Sequence, residues 1–461
     1  MDDLRFDARM SDTEALVWAL EEQDPALRST IGVVAFLDRS PGIDAVRARL
    51  ERVTRLLPRF RARVAPAAIT LAPLWEPDPH FDLAFHVRHV QLPNLADPAP
   101  VLRWSEPVIA EGLDRSRPLW QITLVEGWPD DRAALVLKLH HTFTDGLGAV
   151  KLLNLLFDLA PDAEEPAQLP ALAVGEPRGS LLRLVDDVAG ELRRSAALAR
   201  RAVPLVADGV LAAVRAPEAR AAATIDLARS LAHLAAPTVR PLSPVLTARS
   251  PRTRFEMLEA PLEGARVAAR AVGGTVNDVF LSAVVGGLRQ YHERHGSRPD
   301  ALRIGVPIST RRAETDNRMR NQFAPVRVTI PLQHADPVAR LLDVHHRILS
   351  ERAEAGLAGA EQMAAVVNRV PALRALLAAA MGSVDVVASN VPGTNVPLYL
   401  RAARVTRLVP FGPRNGAALN VSVVSYDSTL HIGCNLDAAA IPDHDVLLDS
   451  LRRSLAETIG A

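Results

Sequence analysis

Apolar and polar positions alternate along this chain with two periods, and the switches between them mark its elements. Apolar residues recur at helical spacing from about Thr13 to Gln23, and IGVVAFLD at 31–38 follows with the β-branched and aromatic residues of a strand. IDAVRARLERVTRLLPRF returns to helical spacing until Pro58 interrupts it. Strands are predicted at His86–Val90, Trp120–Glu126 and 132–141, and GLGAVKLLNLLFDLA at 146–160 reads as a buried helix. A second mixed unit starts near Arg254. It has a strand over 254–259, helices over 263–272 and from Thr275, strands in ALRIGVPIST and FAPVRVTIPL, and helices over 336–354 and 361–381. It closes on a hairpin in ALNVSVVSYDSTLHIGCNLD that turns at Tyr426–Ser428. No short-period repeat is visible, yet the two halves are built alike, which predicts an α/β lobe over 1–160 and a second over 246–461.

Between them, 161–245 is a linker and connector rich in Ala, Arg, Leu and Pro. Its stretch 180–235 has helical periodicity broken at Pro204, Gly209 and Pro217. That stretch carries eight Arg and six acids, a balance of +2, which suits an amphipathic connector better than a strongly basic membrane-surface helix.

Charge and cysteine content narrow the possibilities further. With 53 basic and 53 acidic residues the chain is formally neutral, which argues against broad nucleic-acid binding. Cys434 is the only cysteine, so intrachain disulfides and thiolate zinc sites are excluded and a reducing compartment fits. The opening MDDLRFDARMSDTE lacks a signal-peptide core, and no apolar run approaches the ~18 residues of a membrane-spanning helix. Lys138 and Lys151 are the only lysines, a composition that points to a GC-rich bacterial genome.

The most informative segment is Leu139-His140-His141-Thr142-Phe143-Thr144-Asp145-Gly146. Strand alternation places Leu135, Leu137, Leu139 and His141 on one face and Val136, Lys138 and His140 on the other. Adjacent histidines on opposite faces do not share a metal ion easily, and no carboxylate stands at ligand spacing, so no metal is expected. A single inward imidazole at a strand end is placed as a general base. The alternative is a hydrogen-bonded core histidine followed by a simple Asp145-Gly146 turn.

This segment resembles the HHxxxDG motif of the bacterial wax ester synthase/acyl-CoA:diacylglycerol acyltransferase family. The resemblance runs over nearly the whole chain, through Leu57-Pro58-Arg59-Phe60-Arg61, Trp75, Asp78, Phe81-Asp82-Leu83, His86-Val87-Arg88, Leu113-Asp114-Arg115 and Arg117-Pro118-Leu119-Trp120. It continues through Asn277-Asp278, Ser389-Asn390-Val391-Pro392-Gly393, Leu419-Asn420 and Ser425-Tyr426. HHxxxDG alone is also found in chloramphenicol acetyltransferase-like enzymes and peptide-synthetase condensation domains. Departures from the family pattern are Ser29-Thr30 where Met-His is common, Thr142-Phe143-Thr144 in place of small residues, and Asp427-Ser428 where a glycine is common.

The resemblance implies two chloramphenicol-acetyltransferase-like lobes with an active-site tunnel at their interface. It implies acyl-CoA as co-substrate with no other cofactor, diacylglycerol or a long-chain alcohol as acceptor, and His141 as general base. His140, Asp145 and Gly146 then complete the motif, and Arg311 is the candidate partner of Asp145. Asn277 offers first-turn amides to developing charge, whereas Asp278 forms a capping pair with Thr275. Pro118, Leu119 and Trp120 read as architecture, and Ser389 and Asn390 either cap a turn or line the tunnel. His345-His346 lacks a following DG and is expected at the surface. A carrier-protein-dependent condensation enzyme and a non-catalytic lipid-coating protein are the alternative readings. The expected location is cytoplasmic, peripheral to the inner membrane or to lipid bodies.

Overall fold

The computed structural model describes residues 8–66, 72–143, 152–163, 188–189, 192, 240–309, 323–357 and 360–460. Most of the 161–245 connector, together with Asp145, Gly146 and Arg311, lies outside the described residues.

In chain order the strands are β1 (Thr30–Leu37), β2 (Ala62–Ala65), β3 (Leu74–Pro77), β4 (Val87–Gln91), β5 (Trp120–Glu126), β6 (Ala133–His140) and β7 (Thr253–Pro261). The others are β8 (Ala301–Ser309), β9 (Phe323–Pro331), β10 (Val386–Thr394), β11 (Tyr399–Leu400), β12 (Ala403–Phe411), β13 (Leu419–Tyr426) and β14 (Thr429–Asp437). They form two six-stranded sheets, β11-β12-β1-β6-β5-β4 and β7-β14-β13-β10-β8-β9, and a small β2-β3 ribbon.

Strand β6 is central to the first sheet and buried along its whole length. On one face Leu135, Leu137 and Leu139 join the main core of the first unit. On the other, Ala134 and Val136 meet Val101, Leu102 and Ile109 of the Ala99–Ala110 helix. Gly32 of β1 lets that helix approach, because a Cβ there would collide with Ile109. In the second unit the Val276–Arg294 helix supplies much of the core, from Val279 to Leu288, and opens with the expected Thr275/Asp278 capping box.

Several elements depart from the sequence reading. The helix expected over 361–381 is two helices, Ala360–Arg369 and Pro371–Met381, because Pro371 starts a new one where it cannot continue the old. Ser389 and Asn390 neither cap nor turn the chain; they lie in β10, paired in parallel with Ser422 and Val423 of β13. Of the helix expected over 146–160, the described portion is helical at 152–156. The Tyr426–Ser428 turn is where it was expected, with Asp427 and Ser428 at φ 46° and 66° and no glycine.

A larger difference is the crossing of the two halves. β12, a strand the sequence reading missed, pairs antiparallel with β1, so residues from the 246–461 half complete the first sheet. The chain then returns to its own sheet through β13 and β14. The seam is close: Phe411 stacks on Phe255 at 4.2 Å, Phe255 N–H donates to Glu106 at 3.0 Å, and Arg407 pairs with Glu259 at 2.8 Å.

Among the described residues no single helix is long and apolar enough to cross a membrane. One bent pair, Leu262–Ala271 with Val276–Arg294, meets the length and composition criteria, but its second helix is core to the second unit.

The seam yields a stability test. Any Cβ on Gly433 would overlap the Pro410 carbonyl oxygen across the two sheets. Gly433→Ala should cost about 1–3 kcal/mol or more, as overpacking against immobile backbone does. Chemical denaturation should show the lowered midpoint, and unchanged stability would mean that the sheets part easily here.

Candidate active site

The site residues stand where β6 ends. His140 N–H donates to Leu119 O at 3.1 Å, and His141 N–H donates to Ser29 O at 2.7 Å, so both neighbours of β6 fix the backbone of the histidine pair. Phe143 N–H then closes a turn onto His140 O at 2.9 Å.

His140 is the buried member of the pair, only 3% exposed, and both its ring nitrogens are occupied. Nε2 is 2.7 Å from Glu21 Oε2, and Nδ1 is 2.7 Å from the Thr142 hydroxyl. The Thr142 N–H also points at Nδ1, at 3.2 Å. Nδ1 is therefore an acceptor, and the ring proton sits on Nε2, donated to Glu21. Trp18 packs edge-on against the same ring at 5.5 Å.

His141 does not extend the alternation that put it with Leu135, Leu137 and Leu139, because the strand stops at His140. It is half-buried in the turn, while His140 keeps the Lys138 side of β6 that alternation gave it.

Glu21 was not singled out by the sequence, where nothing separates it from other helix-end glutamates. Its carboxylate accepts from Ser29 N–H at 3.3 Å and faces Arg115 at 3.4 Å. Burial pushes its pKa upward, but the hydrogen bonds from His140 and Ser29 and the nearby Arg115 charge outweigh this and hold it below the ordinary range. Arg115 in turn lies over the Trp18 ring at 4.0 Å and reaches Glu22 at 2.9 Å. A cavity of about 300 Å³ opens beside this pair, lined by Glu21, Glu22, Arg28, Gly112 and Arg115 among others.

Beneath the turn lies an aromatic bed. Phe143 is 1% exposed and meets Phe60 at 4.7 Å and Trp75 at 5.7 Å, both edge-on. Phe60 meets Trp120, whose indole N–H donates to Phe60 O at 2.8 Å. His86 stacks on Trp120 at 4.5 Å and bonds its carbonyl through Nδ1 at 2.8 Å; burial lowers the His86 pKa and favours the neutral ring. The architectural reading of Pro118-Leu119-Trp120 thus acquires a specific content. Leu119 O holds His140, and Trp120 holds the bed under Phe143.

In the second unit Asp278 is 2% exposed and accepts from Thr275 N–H and its hydroxyl at 2.8 and 3.0 Å. It also meets His345 Nδ1 at 2.9 Å. The expected surface position is therefore correct for His346 but not for His345, whose side chain is 14% exposed. Asn277 is half-buried in the first turn of the same helix, Ser389 is half-buried on β10, and Asn390 is exposed. Asp145, Gly146 and Arg311, with the ion pair expected of them, lie outside the described residues. Among the described residues no three His, Cys, Asp or Glu side chains converge as metal ligands do.

Lys138 shares the His140 face of β6. It is 3% exposed and donates to Gly112 O at 3.3 Å, and burial pushes its pKa down to about 8.

Two pH-dependent expectations follow from these groups. The stability supplied by Glu21 is present above the ordinary carboxylate pKa and is lost as pH falls through its depressed folded value; Glu21→Gln should flatten that acid limb in thermal melts. Lys138 gives the same sign of slope in a higher pH window. Between about 8 and its unfolded value of ~10.4 the unfolded chain binds the extra proton, so stability rises with pH there. Lys138→Met should abolish that rise and raise the melting temperature at neutral pH. A melting temperature that falls instead would show that the ammonium is worth more than its burial costs.

Comparison with known proteins identifies the chain. Residues 10–280 match the family model for the wax ester synthase/diacylglycerol acyltransferase catalytic domain, and residues 319–458 match the family's C-terminal domain. A Mycobacterium tuberculosis H37Rv relative that carries the name diacylglycerol O-acyltransferase is 33% identical over 452 residues, covering 95% of this chain and 89% of its own. A second from the same organism is 32% identical over 437 residues, covering 90% of this chain and 88% of its own. The solved wax ester synthase/diacylglycerol acyltransferase of Marinobacter aquaeolei VT8 superposes with a TM-score of 0.65 at 23% identity, covering 98% of this chain and all of that one. The first condensation domain of the calcium-dependent antibiotic synthetase gives 0.60 at 16% identity, covering 98% and 97%, which shows the shared fold. The chain belongs to the wax ester synthase/diacylglycerol acyltransferase family and is an O-acyltransferase of the two-lobed condensation-domain fold.

Proposed function

We propose that this enzyme transfers an acyl group from acyl-CoA to the hydroxyl of diacylglycerol, a long-chain alcohol or both, with His141 as the general base. One observation carries the assignment within the histidine pair. His140 has both nitrogens engaged and almost no exposure, whereas His141 is partly exposed at the end of the strand. A base must reach the proton it removes, and within the pair that condition favours His141.

The reaction needs no covalent enzyme intermediate. As His141 takes the acceptor proton, the acceptor oxygen bonds to the thioester carbonyl carbon and the carbonyl electrons move onto its oxygen. Collapse of that tetrahedral species breaks the C–S bond, and the imidazolium returns the proton to the departing thiolate. Asn277, in the first turn of a helix, is our candidate for the oxyanion side, where amide donors favour negative charge. His140, held by Glu21, is a positioning residue for the turn. Asp145 and Gly146 continue that turn in the sequence and keep the positioning role the motif implies. The condensation-type alternative is not favoured, since both family models and the named relatives belong to the lipid acyltransferases. Because the proposed acceptors and esters barely dissolve in water, the enzyme is also proposed to work at a lipid surface.

The test separates the two histidines. His141→Ala should lower turnover by at least ~10²-fold while leaving the melting temperature near wild type. His140→Ala should lower both. Turnover is read as CoA thiol release with diacylglycerol and hexadecanol offered in parallel. A folded His141→Ala enzyme retaining more than a tenth of wild-type turnover would remove His141 from the role of base.

A further inference from the structure

Three surfaces remain unexplained by the site itself, and they differ in what they could bind. The Pro337–Leu357 helix exposes Val338, Leu342 and Leu349, but Asp343, Arg347 and Glu351 alternate with them, as on an ordinary solvated face. The cavity beside Glu21 is small and carries as many acids as arginines, so its charge selects no ligand. The third surface, over residues 364–382, is different.

The Pro371–Met381 helix, PALRALLAAAM, is apolar apart from Arg374, yet Ala380 is its only buried residue. Ala372, Ala375 and Ala379 are exposed, Leu373, Leu376 and Leu377 are half-exposed, and the preceding Val366 and Val370 are 52% and 39% exposed. From Gln362 to Val384 the sequence has two arginines, Arg369 and Arg374, and no acid. At its end, Gly382 borders a cavity of about 640 Å³ lined also by Arg240, Leu242, Pro244 and Arg249, and by no carboxylate. Apolar area flanked only by positive charge matches one partner chemistry, the headgroup and acyl boundary of an anionic lipid surface. Arg369 and Arg374 are the only charged side chains along this apolar stretch.

Position supports the same occupant. The Ala360–Arg369 helix packs against the Asp12–Gln23 helix, with Asn368 donating to Asp12 O at 2.7 Å. That second helix carries Trp18 and Glu21, which hold His140. After Gly382 and Ser383 the chain runs directly into β10, which bears Ser389 and Asn390. The exposed apolar pair is thus joined at both ends to elements of the site. We propose that residues 364–382, with the Arg240–Arg249 cavity at their edge, dock the enzyme on an anionic lipid surface and admit its water-insoluble acceptor from there. The proposal rests on the acyltransferase reading and adds the surface through which it is supplied.

The test uses the full chain and vesicles of phosphatidylcholine with and without phosphatidylglycerol. Val366→Glu/Val370→Glu and Leu377→Glu are compared with a control, Leu349→Glu, on the charged-face helix. Wild type and control should float with the phosphatidylglycerol vesicles. The patch variants should lose at least tenfold in binding and in turnover of vesicle-borne diacylglycerol, while turnover of soluble 1-hexanol stays within twofold. Retained hexanol activity shows that fold and chemistry survive. Loss of hexanol turnover in wild type would instead strike the acyltransferase reading.

Flotation of the patch variants like wild type, or wild type that does not float, overturns the docking surface. So does a patch that proves to join two copies of the chain, seen as a dimer that the variants dissociate without change in flotation. Arg240→Ala tests the cavity. It should weaken flotation and leave the KM for acyl-CoA unchanged; a raised KM with unchanged flotation would make the cavity a CoA site and overturn its part in docking.

Discussion

The bond between Glu21 and His140 is the constraint on which the site is built. A strand buried on both faces can end in an imidazole only if both ring nitrogens find partners, since an unpaired buried polar group costs about 1–3 kcal/mol. Thr142 serves one nitrogen from within the turn, and Glu21 serves the other from a helix far away in sequence. The carboxylate itself then needs compensation for burial, and it receives the Ser29 N–H and the Arg115 guanidinium. Arg115 is spread over Trp18, which packs against His140 again. The loop of contacts closes on the ring where it began. Such a closed arrangement fixes the direction of the turn, and with it where His141 stands.

A second constraint is the exchange of β12 between the two halves. β1 needs a partner on its outer edge, and the C-terminal half provides it, so neither sheet is complete without the whole chain. Gly433 against Pro410 and Phe255 against Phe411 make the seam tight enough that small side chains decide its spacing. The proposed site, with His141 after β6 and Asn277 on the Val276–Arg294 helix, requires this, because the two groups keep a fixed separation only if the sheets do.

What the sequence revealed and what it hid follow from the range of the interactions involved. Local periodicity found β5 and β6 and the last hairpin, and the Thr275/Asp278 spacing found its capping box, because each depends on neighbours within a few residues. Leu119 and Trp120 were recognised as architecture from residue type alone, though their contacts with His140 and Phe60 were not visible. The failures are long-range. β12 is an ordinary alternating stretch whose partner lies some hundreds of residues upstream. Glu21 is one helix-end glutamate among several, and His345 differs from His346 only in facing Asp278. Alternation also reached too far at one point, since it was continued one residue past the end of β6, whose last residue is His140.

The neutral total charge conceals a division of labour among the cations. Arginine, with a planar fork of donors, is used inside the protein: Arg340, 1% exposed, donates to the carbonyls of Ser282, His334 and Ala335 and to the Thr458 hydroxyl. The buried lysine, Lys138, has a single 3.3 Å carbonyl contact and loses much of its preference for charge. Once buried arginines and their carboxylate partners are set aside, charge near the surface is free to be uneven. The stretch from Gln362 to Val384 carries two arginines and no acid. An enzyme whose products leave water has a physical reason to keep such a face uncovered. Apolar area that would be a liability on an ordinary soluble protein becomes the means of reaching its substrate.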